Sequence, residues 1–240
     1  MPPTPKKVIS QLVDKFLSDQ KIRLSSKTYA KYKTIIDLFR TYLECYGPDH
    51  YRDEHPDEFG VTDSGDDYSR LYSPEEITRG YSEFLGHFMP HEIRCDKETM
   101  KDAGTVMKKF AKWLAENGYV EETSGAQAQA KQAAKDLPAA QDMLKLLNDY
   151  ISTFAPDDQQ GEIGDHFWIK RIEPGQLWLK PLSVYDQVIG PVPVPHQVTQ
   201  ICQEKWGIGG VVMKTSHGWR FLEVWNVTDK RSPRRRFLTP

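Results

Sequence analysis

Apolar residues recur every three or four positions through the first half of the chain, then give way to short runs divided by Gly and Pro. Val8, Ile9, Leu12, Val13, Phe16 and Leu17 form one stripe, which predicts a helix capped by Thr4, with Pro5 in its first turn, running to about Arg23. A second start at Ser25-Ser26 leads into Tyr29, Tyr32, Ile35, Ile36, Phe39, Tyr42 and Leu43, and Gly47-Pro48 is expected to stop it. Residues 49–72 keep no period and are rich in Asp, Glu and Gly, the pattern of an acidic surface loop. Ser73-Pro74-Glu75-Glu76 reads as a capping box for a third helix bearing Ile77, Tyr81, Phe84, Leu85 and Phe88, expected to end near Pro90. Asp96 caps a fourth, with Met100, Ala103, Met107, Phe110, Ala111 and Leu114 facing inward before Asn117-Gly118.

An Ala/Gln-rich run, Ala126 to Ala134, offers helix propensity but little apolar surface and reads as a connector, whereas Pro138 to Phe154 carries a full apolar stripe. After Ala155-Pro156 the period becomes that of strands. Phe167 to Ile172 and Leu177 to Leu179 flank Glu173-Pro174-Gly175-Gln176, a hairpin with a type II turn. Val188-Ile189 precedes prolines 191, 193 and 195, which suit an edge or a β/PPII crossing rather than a central strand, and Val198 to Cys202 suits one helical turn. Ile208 to Lys214 and Trp219 to Val227 pair as a second hairpin across Thr215-Ser216-His217-Gly218. These elements predict an α+β protein: a four-helix SAM-like unit at 1–120, a helical connector at 121–156, a small SH3-like β-barrel at 157–228 and a basic tail at 229–240.

Composition narrows the class. The hydrophobic share is 38% with no long apolar run, which excludes a membrane-spanning chain, and no secretory signal is recognised, so a cytoplasmic location is expected. Cys45, Cys95 and Cys202 are too few and too scattered for a disulfide framework or a zinc ribbon. The net charge of -2 conceals segregation. Residues 1–48 hold nine basic against four acidic side chains, residues 49–76 two against ten, and residues 229–240 five against one. A polyanion responds to a local basic face rather than to the whole-chain charge, so nucleic acid stays open as a partner.

Phe16-Leu17, then Ser25, Thr28, Tyr32, Ile36, Phe39 and Tyr42-Leu43, together with Ile77 to Phe88, Thr99, Met107, Phe110, Trp113-Leu114, Glu116-Asn117-Gly118 and Tyr119-Val120, carry a resemblance. Residues 8–120 resemble the core-binding, SAM-like N-terminal domain of tyrosine recombinases, the phage integrase family. The resemblance implies a helical clamp on one face of duplex DNA. It does not extend to the chemistry, because His196, His217, Arg220 and Tyr185 lack the spacing of that family's arginine, His-x-x-Arg and tyrosine set. No catalytic residue is carried over, and no enzyme activity is expected.

Phosphate contacts need cations away from the core stripe. Arg23, Lys27, Lys31 and Lys33 lie around the start of the second helix, and Lys101, Lys108, Lys109 and Lys112 on the fourth; Arg231, Arg234, Arg235 and Arg236 give a basic arm. His91 and Cys95, joined by Cys45 or His50, form only a weak metal set; Asp63, Asp66 and Asp67 around Gly65 lack the ligand spacing of a calcium loop; neither a metal nor a cofactor is expected. No P-loop, GxGxxG or GxSxG is present. The barrel tryptophans 168, 178, 206, 219 and 225 suit core or rim packing, and exposure of any of them would point to a ligand surface. The reading is a non-catalytic DNA-binding accessory or regulatory protein. Its alternative is an interaction module whose barrel and acidic loop bind a protein partner.

Overall fold

The computed structural model describes residues 9–54, 74–153, 161–184 and 187–229. The expected Thr4 cap, residues 55–72 of the acidic loop, the Ser73 cap and the arginine tail lie outside the described residues. No described helix is long and apolar enough to cross a membrane. The chain divides into two compact units, residues 1–88 with 99–134 and residues 89–98 with 135–240.

In the first unit α1 (Ile9–Arg23) ends where Ser25 begins the cap of α2 (Ser26–Glu54), the Ser25 hydroxyl accepting from the Thr28 backbone N–H at 3.3 Å. α2 does not stop at Gly47-Pro48 but continues to Glu54. A proline removes one rung of the ladder, and the turns on either side still hydrogen-bond. The third predicted helix is broken rather than continuous. It comprises α3 (Pro74–Arg79), a turn at Tyr81–Glu83, a π-helical turn at Phe84–Phe88 and a last turn at Met89–Glu92 that contains Pro90. The wide π turn ends just before that proline, where a regular helix would press the ring onto the Gly86 carbonyl.

α4 (Lys97–Glu116) terminates as expected. Gly118 takes φ +68°, its N–H donates to the Ala115 carbonyl at 3.0 Å and the Tyr119 N–H to the Leu114 carbonyl at 2.9 Å, the two hydrogen bonds of a Schellman motif. The core of this unit is a ladder of rings: Phe16 on Phe110 at 4.8 Å, Phe39 on Phe84 at 5.0 Å, Phe39 on Tyr81 at 5.8 Å. Each such ring removes enough apolar surface to stabilise the unit by about 1.5–3 kcal/mol. The Tyr81 hydroxyl donates to the Met107 carbonyl at 3.0 Å, so this fully buried phenol leaves no donor unmet.

The segments read as a connector and a separate packed helix form one continuous α5 (Ser124–Ile151) with Pro138 inside. Ala126, Ala130 and Ala133 are buried. Small side chains here permit close approach. A Cβ placed on Gly104 of α4 would stand 2.6 Å from the Ala130 carbonyl oxygen and 2.7 Å from Ala134 Cα. What composition presents as scarce apolar surface is a backbone-to-backbone helix contact.

The second unit is built on β1 (Gly161–Glu173), β2 (Gln176–Pro181), β3 (Ile189–Pro193), β4 (Gly207–Thr215) and β5 (Gly218–Thr228). They form one antiparallel sheet in the order β3-β2-β1-β4-β5, curled into a half-barrel. Both predicted hairpins stand, Glu173 pairing with Gln176 and Thr215 with Gly218. The proline-rich strand lies at an edge, beside β2, and α6 (His196–Ile201) is the expected short turn. β1 begins six residues before the expected start and joins the two hairpins, pairing with β2 on one side and with β4 on the other. The interior holds Phe167, Ile169, Leu177, Leu179, Val192, Ile208 and Val212, with Met143 and Leu147 from the second half of α5 among them.

β5 departs from simple alternation. Its buried apolar positions are Phe221, Val224 and Val227, three apart, with Thr228 buried beside the last. The β4–β5 register shifts between Gly209 and Gly210 and again between Val211 and Val212, so each bulge inserts one unpaired residue and re-aims its neighbours. Trp225 occupies one of these positions.

Candidate nucleic-acid interface

α4 turns its apolar residues Met100, Ala103, Met107, Phe110 and Leu114 into the helical unit. A helix that buries one stripe must present the opposite one, and on it stand Lys101, Lys108 and Lys112, spaced seven and four apart, with Lys109 at its side. Lys101, Lys109 and Lys112 are exposed and Lys108 is half-buried. Thr105 lies on the same stripe, its hydroxyl donating to the Lys101 carbonyl at 3.0 Å. From Lys101 to Lys112 the stripe extends about 16 Å, along which a duplex presents roughly ten phosphates counting both strands.

The predicted cations differ in their freedom to meet phosphate. Lys31 reaches Asp102 at 3.1 Å, Lys33 reaches Asp37 at 2.5 Å and Lys112 reaches Glu116 at 3.2 Å. Arg23, Lys27, Lys101, Lys108 and Lys109 make no ion pair with a described residue. The Lys31–Asp102 pair sets the first turns of α2 beside those of α4, so Lys27 and Lys31 join the α4 stripe in one neighbourhood. Arg23, the last residue of α1, shares it. Burial raises the Tyr32 phenol above its ordinary value, the Arg23 charge opposes that rise and the Asp102 charge adds to it. Lys33, two residues from Lys31, points off this face and is occupied by Asp37.

The other candidates assemble no chemical site. Among the described residues no group of three or more His, Cys, Asp and Glu side chains is placed to hold a metal ion. Burial, followed by the neighbouring Asp96 carboxylate, pushes the Cys95 thiol up to about 11, so it is protonated at neutral pH. Arg231, Arg234, Arg235 and Arg236 lie outside the described residues, as does the His50 side chain.

The tryptophans sort by environment. Trp206 is buried in the half-barrel, Trp178 lies under the Arg171 guanidinium 3.6 Å from its ring centre, and Trp219 has the Lys214 ammonium at 5.9 Å. Trp225 is 51% exposed. What sequence reading missed is its company, His166 and His91, which are 75 positions apart in the chain. The Gly209-Gly210 pair was the available signal, since glycine within a strand marks a bulge or a close approach.

Compared with models of known families, with curated proteins and with solved structures, the chain gives no match.

Proposed function

We propose that this chain binds duplex DNA through the lysine face of its helical unit, as an accessory or regulatory protein, and that it cleaves nothing. The observation that supports this reading is the α4 stripe of Lys101, Lys108 and Lys112 with Lys109, turned away from the core and joined by Lys27 and Arg23. Phosphate neutralisation requires cations that share a direction, and these do. The residue pattern resembling an integrase core-binding domain leads to the same role, and the SH3-like character of the half-barrel belongs to this proposal as a second recognition element.

Fluorescence anisotropy with a random-sequence duplex at two salt concentrations tests it. The native chain should bind with an affinity that falls steeply as salt rises. Changing Lys101, Lys108 and Lys109 together to glutamine should reduce the logarithmic salt slope by about 3. These positions are chosen because none is tied to a described carboxylate, so the substitutions leave the ion pairs of the fold in place. No binding at low salt, or an unchanged slope in the variant, would overturn the reading.

A further inference from the structure

The outer surface of the half-barrel carries a second arrangement, independent of the lysine face. Strand register assigns its rows: Glu162, Met213 and Arg220; then Gly164, Val211 and Glu223; then His166, Gly209 and Asn226. Trp225, inserted at the bulge between the last two rows, stands over them. Its indole N–H donates to Glu223 Oε2 at 2.9 Å, which fixes the ring while leaving half of it exposed. Gly164 lies beneath the indole, where a Cβ would make ordinary contact with Trp225 Cη2 and Val211 Cγ2, each at 3.8 Å.

The His166 ring faces the Trp225 ring at 6.4 Å and 71°, and the His91 ring at 5.7 Å and 51°. Glycine at position 209 leaves room for this row, since a Cβ there would come within 2.7 Å of Asn226 Oδ1 and 2.8 Å of His166 Cε1 and would turn those side chains away. Asn226 Oδ1 is buried with no hydrogen-bond partner among the described residues. Burial holds His166 below the ordinary histidine value, against the nearby Asp165 charge, so the imidazole beside Trp225 is neutral at pH 7.

An exposed indole face held by a carboxylate, with a second carboxylate at Glu162 and neither engaged in an ion pair with a described residue, attracts positive charge. Phosphate would meet Glu162 and Glu223 and be repelled, so base stacking on Trp225 works against its own backbone. We propose that this surface docks a basic segment of a protein partner, one lysine or arginine lying over the Trp225 ring and pairing with Glu223. Arg220, one row away, limits the surface on that side and favours a short segment.

The test follows the indole N–H resonances of the full chain, with that of Trp225 assigned from Trp225→Phe. The probes are an acetylated Ala-Arg-Ala-Lys-Ala amide, its counterpart with glutamate at both charged positions, and an oligothymidylate. The basic peptide should move the Trp225 resonance at millimolar concentration or below, and the acidic peptide should not. Glu223→Gln should weaken the basic peptide about 5-fold or more, without disturbing the other indole signals. With these probes, three outcomes would overturn the proposal: no movement with the basic peptide, equal movement with the acidic one, or movement with the oligonucleotide alone. Removing residues 230–240 is the last arm. If that deletion alone shifts Trp225, the chain's own basic tail is the occupant, and the partner reading fails.

Discussion

Gly104 of the helical unit and Gly209 of the half-barrel each leave no room for a Cβ, and the space they save is used in opposite directions. In the helical unit Gly104 brings the backbone of α5 onto that of α4, and the space saved is used inward, beneath a core of interlocked rings. In the half-barrel Gly209 clears space on the outer surface, and two polar side chains, His166 and Asn226, lie over the strand instead. The neighbours differ accordingly. Gly104 faces main-chain atoms, which cannot move without moving a helix, whereas Gly209 faces the ends of side chains, which can rotate. The first glycine is a condition of stability, and the second is a condition of a surface. That difference separates a region whose outward charges follow from burying one stripe from a region whose outward groups are arranged among themselves.

The strongest way to break the comparison is to fill the helix contact. Gly104→Val should cost about 3 kcal/mol or more of unfolding free energy, at the upper end for overpacking, because the atoms in the way are backbone. Gly104→Ala is the sharper variant. Intrinsic helix propensity alone would make alanine about 1 kcal/mol better than glycine in mid-helix. A Cβ at 2.6 Å from the Ala130 carbonyl oxygen should outweigh that gain, so alanine is expected to destabilise. Denaturant unfolding of both variants checks this. If alanine raises stability, the α4–α5 contact is looser than described.

A smaller effect sharpens the other side. His166 is held below its ordinary value by burial, so the unfolded chain takes up its proton at a higher pH than the folded one does. The sign follows from linkage: where the unfolded state binds more protons, stability rises with pH. As pH falls below about 6.5, the half-barrel should lose stability, and the loss should level off once the folded imidazole is protonated too. Measuring unfolding free energy from pH 8 down to pH 5 should show that slope, and His166→Gln should flatten it. An unchanged slope would mean that His166 is as well solvated as a free side chain.

The two regions were also unequally legible. Periodicity and caps predict α1, the Ser25 cap, the end of α4 at Asn117-Gly118 and both hairpins, because each rests on neighbours within a few residues. The misplaced features depend on distant partners. Pro138 reads as a helix start because local chemistry permits one there, yet the helix runs through it. Ala126 to Ala134 reads as a polar connector because alanine contributes little area, and only the opposing Gly104 gives it a role. In β5 the core residues 221, 224 and 227 fit no period of two, since each bulge adds a residue that alternation cannot count. The lysine face was legible from spacing on one helix. The company of Trp225 was not, because His91, His166 and Glu223 come from three separate stretches of chain.

The smallest expected effect is also the most discriminating. Trp113 and Trp225 each have an indole N–H held by a carboxylate, Asp19 at 3.1 Å and Glu223 at 2.9 Å. Trp113 is 7% exposed and packs on Phe16 and Tyr119, so its bond anchors a core ring; Trp225 is 51% exposed, so its bond orients a surface ring. Truncating a buried tryptophan costs about 3–5 kcal/mol. Trp225→Ala should cost no more than about 1 kcal/mol, because half of its area is in water in the folded state already. The same variant should lose its response to the basic peptide. A large stability loss on Trp225→Ala would reassign that ring to packing, and the contrast between a helical unit that encloses its aromatics and a half-barrel that presents one would no longer hold.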